Sequence, residues 1–252
     1  MSVEVEWLTK DESLPPHCML MAALPGVGNV GKLFVDTMIE SLPSRKLARI
    51  LHPDLLPHAM LSGNGLLSPP HLSLDSVELP DGKTVVTFTG AGQPLTPRGQ
   101  HEVACLVLDL AHQSGCPLVL VLAGLSAQPG ESEVHMVCAS AEYRDELQAK
   151  GLAVSVEQPA GGMIGLAGLL ASLSTWKGVN AAACITSTIG TSVDVQAADR
   201  LARWVSDAFE LGLELPIDNT RETAARLLSL MEGKEIAGID LSEEDAGAAF
   251  YA

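Results

Sequence analysis

The segment LPGVGNVGKL holds the residues whose types and spacing come nearest to a known chemistry. Gly26, Gly28 and Gly31 fit G-x-G-x-x-G, the spacing that lets bare backbone approach a pyrophosphate at a helix N-terminus. That use needs an acidic residue about 20 positions later. Asp54 is the nearest, but it stands in His-Pro-Asp within a proline-broken stretch, so the fingerprint is incomplete. The same residues almost spell a phosphate-binding P-loop, with Gly26, four residues, Gly31 and Lys32. Leu33 then replaces the Ser/Thr that would hold Mg²⁺, and no clear aspartate-ended apolar strand follows. Val27 and Val30 suit a turn that packs inward. The preferred reading is that the glycines let a strand turn tightly into a close-packed helix.

Other candidate groups form no catalytic set. His52, His58, His71, His101, His112 and His135 show neither His-x-x-x-His nor His-Glu-x-x-His spacing, so zinc is not indicated. Ser126, in GLSAQ, lacks the second glycine of a nucleophile elbow. Glu131, Glu133 and Asp145 read as solvated charges. Ser187 to Asp194, STIGTSVD, is a polar strand-to-helix loop, a position where an α/β sheet can carry a site. Cys18, Cys105, Cys116, Cys138 and Cys184 are odd in number and contain no Cys-x-x-Cys pair. Most lie in apolar segments as small core residues, which points to a reducing, cytoplasmic setting. No cofactor is implied.

The elements that would position these residues alternate between strand and helix. Met19 to Leu24 reads as a buried strand, followed by a helix from about Asn29 to Leu42. Lys83 to Thr89 is β-rich. Thr96-Pro97 supplies an N-cap and first-turn proline for a helix with Val103, Leu106, Val107 and Leu110 on one face. Pro117 to Ala123, Val134 to Ala139, Ala153 to Val156 and Val179 to Thr186 are further strand candidates. Met163 to Trp176, rich in Gly, Ala and Leu, suits a helix packed closely on a sheet. Asp194 can cap a helix carrying Leu201, Trp204, Val205 and Ala208, and Asn219 with Glu222 resembles a capping box for a last helix to about Met231. Between Leu51 and Pro80 five prolines (Pro53, Pro57, Pro69, Pro70 and Pro80) predict loops, irregular strands or an edge insertion. The pattern predicts an α/β fold with a mostly parallel sheet covered on both faces. It forms a single domain over 1–236 and a flexible acidic tail over 237–252.

Composition narrows the function classes. The 252 residues include 31 Asp+Glu against 15 Lys+Arg, a formal net charge of -16. Such an excess repels phosphate backbones and anionic lipid, so neither nucleic acid nor a membrane surface is an expected partner. Hydrophobic residues make up 47% and the mean hydropathy is +0.24, enough for a sizeable core. The longest apolar runs fall short of a bilayer span, and MSVEVEWLTKDE lacks the features of a signal peptide.

Taken together, LPGVGNVGKLFVDTMIESL, HPDLLPHAML, the Leu118 to Gly124 strand, GGMIGLAGLLASL and TSTIGTSVD resemble, in order and spacing, the proteasome assembly chaperone 2 family in its archaeal branch. In place of TSTIGTSVD many relatives carry a proline-rich Thr-Pro-Gly version. The resemblance covers roughly Met19 to Leu211. It implies a three-layer α/β/α sandwich similar to phosphorylases and hydrolases, homo-oligomers, and ATP-independent help to proteasome assembly. The closing Phe250-Tyr251-Ala252 resembles the hydrophobic–Tyr–any-residue ending of proteasome activators and some assembly chaperones. That likeness implies docking between neighbouring α subunits of the 20S ring. Phe250 would pack on an apolar wall, Tyr251 fill a pocket, and the Ala252 carboxylate pair with a lysine. The competing expectations are that Phe250 and Tyr251 fold back on the chain's own surface, and that the chain is a nucleotide- or nucleoside-binding enzyme using the Gly26–Gly31 turn.

Overall fold

In MLMA, TVVTFTG, VLVLAGLS and AAACITST apolar and small residues run on with little polar alternation, as in strands covered on both faces. The computed structural model describes residues 3–61, 65–156, 161–190 and 193–217 and the backbone of 250–251. In it those segments are β2 (Met19–Ala22), β7 (Thr84–Gly90), β8 (Val119–Ser126) and β11 (Ala181–Thr188). They lie side by side and parallel in the order β7-β2-β8-β11.

Antiparallel strands extend this parallel centre on both sides. Beyond β7 come β6 (Leu72–Glu78), β3 (Ser44–Leu51) and β1 (Glu4–Trp7), and beyond β11 comes β9 (Val134–Cys138). A short ladder joins β4 (Met60–Leu61) to β5 (Leu67–Ser68). Two more short strands, β10 (Gly162–Met163) and β12 (Phe250–Tyr251), pair with each other.

The period of two along each strand divides the core. Met21, Leu120, Leu122, Ala182 and Cys184 meet Leu33, Phe34 and Met38 of α1 (Val30–Ser41) and Leu201 and Val205 of α5 (Val195–Ala208). Leu20, Val119, Val121, Ala183 and Ile185 meet Val103 and Val107 of α2 (Pro97–Gln113) and Leu166 and Leu170 of α4 (Gly165–Leu173). Helices on both faces of one sheet make the three-layer α/β sandwich that the sequence predicts. Tyr143 and Leu147 of α3 (Ala141–Ala149) join the first of these two cores.

Local chemistry sets the helix ends. Thr96 Oγ1 accepts from Gly99 N at 3.0 Å with Pro97 in the first turn, and Asp194 Oδ1 accepts from Ala197 N at 3.0 Å. Leu42 turns extended (φ −116°, ψ 159°) ahead of Pro43, which stops α1.

One expectation needs correction, and another holds over the described residues of 52–71 but not beyond them. Ala153 to Val156 is not a strand: Ser155 N reaches Met136 O at 2.7 Å, but this single contact does not grow into a ladder, and Val156 is exposed. Between Leu51 and Pro80 lies a regular inner strand, β6, flanked by β3 and β7. Pro69, Pro70 and Pro80 bracket it, outside the ladder where a missing N–H costs nothing. The last helix expected from Asn219 and the 236/237 boundary lie outside the described residues.

Asp75 of β6 is 3% exposed and shares the α1 side of the strand with Val77. Burial pushes its carboxyl up to about 6 from 3.8; Lys46 opposes this and Asp36 adds to it. The folded chain thus holds a proton that the unfolded chain releases near pH 4. The cost of ionisation is absent below that pH, grows to pH 6 and is then complete at about 3 kcal/mol. Asp75→Asn should be close to neutral at pH 4 and stabilising by about 1–3 kcal/mol at pH 8. Urea unfolding at both pH values checks this, and an equal effect at the two would contradict it.

Candidate functional site

A doubly wound sheet offers its ligand crevice at the carboxyl ends of neighbouring strands whose connections leave in opposite directions. Here the chain leaves β2 towards β3, β6 and β7, and leaves β8 towards β9 and β11, so that point falls between β2 and β8. The glycine-rich turn, the end of β8, the start of the Ser187 to Asp194 loop and Gln93 gather there.

The turn is packed onto the sheet, backbone against backbone. A Cβ on Gly31 would sit 2.4 Å from Leu122 O, one on Gly124 2.3 Å from Val27 O, and one on Gly28 2.6 Å from Thr188 Oγ1. Gly28 also has φ +64°, a left-handed conformation that glycine adopts without strain. Asp194 N donates to Gly28 O at 2.8 Å and Asn29 N to Gly26 O at 3.0 Å. Lys32, at the place of a P-loop lysine, is buried and paired with Asp36 one turn along α1. Asp54, the nearest acid for a dinucleotide ribose, instead accepts from Thr96 Oγ1 at the head of α2. The geometry therefore uses these glycines for close packing.

The described ends of the neighbouring loop are tied to each other. Thr188 Oγ1 donates to Asp194 Oδ2 at 2.7 Å, and Gly190 N donates back to Thr188 Oγ1 at 3.3 Å. Residues 191–192 lie outside the described residues. Ser126 is exposed at the end of β8, Glu133 pairs with His135 and Asp145 with Arg144, none of them as an acid/base pair. Among the described residues, no group of three or more His, Cys, Asp and Glu could hold a metal. Cys116 and Cys138 are pushed up to about 11 by burial, and Cys184 is shifted in the same direction. These thiols stay protonated at neutral pH; Cys184 is buried, and Cys116 and Cys138 are half-buried against the core.

One contributor was missed in the sequence. Gln93 Nε2 donates to Pro25 O at 2.9 Å, and its Oε1 accepts from Leu166 N at 2.9 Å. It ties the glycine-rich turn to the first turn of α4, yet in GAGQP it reads as an ordinary loop residue. Directly before α4, β10 pairs in parallel with β12, Gly162 opposite Phe250 and Met163 opposite Tyr251. Tyr251 also stands opposite Leu125 of β8, antiparallel. The structure thus places the backbone of Phe250 and Tyr251 against the chain's own crevice. Ala252 and the rest of the tail lie outside the described residues.

Beside β10 opens an apolar groove of about 650 Å³, lined by Met163, Gly168, Leu169, Val137, Cys138 and Ala183.

Fold and site together define an α/β sandwich whose glycine turn is packed on the sheet and whose crevice is paired with the backbone of Phe250–Tyr251. Residues 20–233 match the model of the PAC2 family, and the chain belongs to that family. It is 22% identical over 189 residues to the uncharacterized protein MJ1210 of Methanocaldococcus jannaschii, covering 75% of this chain and 72% of that one. Its fold is similar to that of Pyrococcus furiosus PbaB, an archaeal proteasome activator, with a TM-score of 0.74 at 22% identity over 93% of this chain and 99% of that one. Pyrococcus furiosus PbaA, an archaeal homolog of proteasome-assembly chaperone, gives 0.73 at 18% identity over 93% and 99%.

Two outcomes follow for the glycine turn. Gly31→Ala should cost about 2 kcal/mol or more, because the added methyl meets backbone rather than a side chain that can move aside. Thermal unfolding measures it, and a change under about 0.5 kcal/mol would contradict the close contact. A panel of nucleotides, NAD(P) and nucleosides should leave the melting temperature unchanged. A site filled at 100 times its Kd would instead add about 2.7 kcal/mol.

Proposed function

We propose that this chain is a non-catalytic, cytoplasmic proteasome assembly chaperone or proteasome-binding factor. In this reading Phe250, Tyr251 and Ala252 dock in pockets between α subunits of the 20S ring, presented in several copies by a homo-oligomer. The observation that carries the reading is the PAC2 family match over residues 20–233. The packed glycine turn supports it from the other side, since the phosphate-binding alternative needs open backbone where Leu122 and Thr188 stand.

The physics of the ending fits a peptide anchor. An aromatic side chain buries a large apolar area at low entropic cost, and Tyr adds a hydroxyl for a polar partner. Single tails of this kind bind weakly, and several on one oligomer gain avidity where their spacing matches the pockets. A net charge of -16 favours basic pockets over acidic ones. Among the described residues no helix is long and apolar enough to cross a membrane.

The test is a pull-down of purified 20S particles and free α subunits by the full chain and by a variant lacking residues 250–252. Tail-dependent capture is the expected result, with Tyr251→Ala costing about 2 kcal/mol, roughly thirtyfold, per tail. Capture that survives truncation would move the interface to the folded domain, and capture by neither form would remove the proteasome as partner.

A further inference from the structure

The edge of β8 is unevenly covered. On one side β11 pairs with it to the end, Thr188 opposite Ser126. On the other, the register with β2 stops at Ala22 opposite Val121, and the chain then leaves as the glycine turn. Beyond Leu122, Gly124 and Ser126 face that side of β8 with no β2 partner, and an open strand edge is a template for another strand. β12 takes this side at Leu125, because Ser187 of β11 already holds the other.

The opposite wall is β10, which is tied to the fold by contacts other than those to β12. Gln93 fixes the start of α4 to Pro25, and Gly168 packs on Met163, where a Cβ would stand 2.4 Å from Met163 O. At Gly162, opposite Phe250, no atom of the described residues stands within 4 Å of where a side chain would project. The apolar groove begins at Met163, the residue opposite Tyr251, and continues over Leu169 and Val137. An open edge, a fixed second wall and an adjoining apolar recess are the parts of a strand-addition peptide site.

We infer that the slot between the carboxyl end of β8 and β10 is a binding site for an extended, aromatic-containing peptide segment, and that the chain's own Phe250–Tyr251 is its resident ligand. Resting on the docking role proposed above, the slot then acts as a competitor: a dipeptide paired with β8 and β10 is not in a partner's pocket. If the tail is held nine-tenths of the time, the apparent affinity for the partner falls about tenfold.

Hydrogen exchange tests the slot without any partner. Amides at Ser126 and at 162–164 should exchange faster in a chain lacking residues 250–252 than in the full chain. A synthetic peptide of residues 244–252 should bind the truncated chain saturably and restore protection, whereas the same peptide with Phe250→Ser and Tyr251→Ser should not. Unchanged exchange on truncation, or no peptide binding, overturns the site. Protection that depends on protein concentration assigns the occupant to a second copy and overturns the in-chain assignment. In the partner arm, Gly162→Pro, checked for intact folding by circular dichroism, should bind 20S particles several-fold more tightly than the parent. An exchange effect without any 20S capture keeps the slot and removes the docking role. Tail-dependent capture with unchanged exchange does the reverse.

Discussion

The contact on which the rest depends is the meeting of the glycine-rich turn with β8, where Gly31 lies on Leu122 O and Gly124 lies under Val27 O. Neither strand nor turn can carry a side chain at these points. Their closeness sets the height of α1 above the sheet, and with it the packing of Leu33, Phe34 and Met38 on Met21 and Leu120. A helix held this near fills one face of the crevice with its own backbone. Among the described residues, what remains open at the switch between β2 and β8 is a strand edge.

Polar groups around this contact are matched to one another. Asp194 serves the turn through its amide and α5 and Thr188 through its carboxylate, while Gln93 uses both ends of its side-chain amide to join the turn to α4. Buried polar atoms left unmatched cost more than matched ones gain, so such a network fixes its members in a single arrangement. The network thereby carries rigidity from the glycine turn to β10, some 135 residues further along the chain. A wall assembled in this way does not have to be ordered by its ligand.

The parallel strands were legible because burial on both faces leaves an unbroken apolar record, as in VLVLAGLS. β1 and β3 left no such record: SRKLARIL keeps Arg45, Lys46 and Arg49 at least partly in solvent, so its strand character lies in its pairing. Ala153 to Val156 failed the opposite way, apolar enough for a strand but without a partner edge. The prolines misled because proline next to a strand and proline within one look alike in a sequence. The glycine spacing carried the deepest ambiguity. Pyrophosphate binding and close packing demand the same bare backbone, and what separates them is Leu122, Gly124 and Thr188, far away in sequence. Nothing marked Gln93, whose importance comes entirely from the two backbone groups brought to either end of it.

A two-residue strand is a weak element, and that weakness bears on how such a chain can work. Each ladder hydrogen bond contributes about 1 kcal/mol net, while ordering each residue costs about 1–2 kcal/mol. Pairing alone therefore does not hold Phe250 and Tyr251, and any hold on them has to be completed by contacts beyond the ladder. The held and released states then differ by only a few kcal/mol, within reach of a partner pocket that buries an aromatic ring. A much tighter slot would silence the tail, and a much looser one would leave an aromatic pair exposed to chance association. On the docking role proposed above, near-balance between the chain's own edge and an outside pocket would let one short segment serve both.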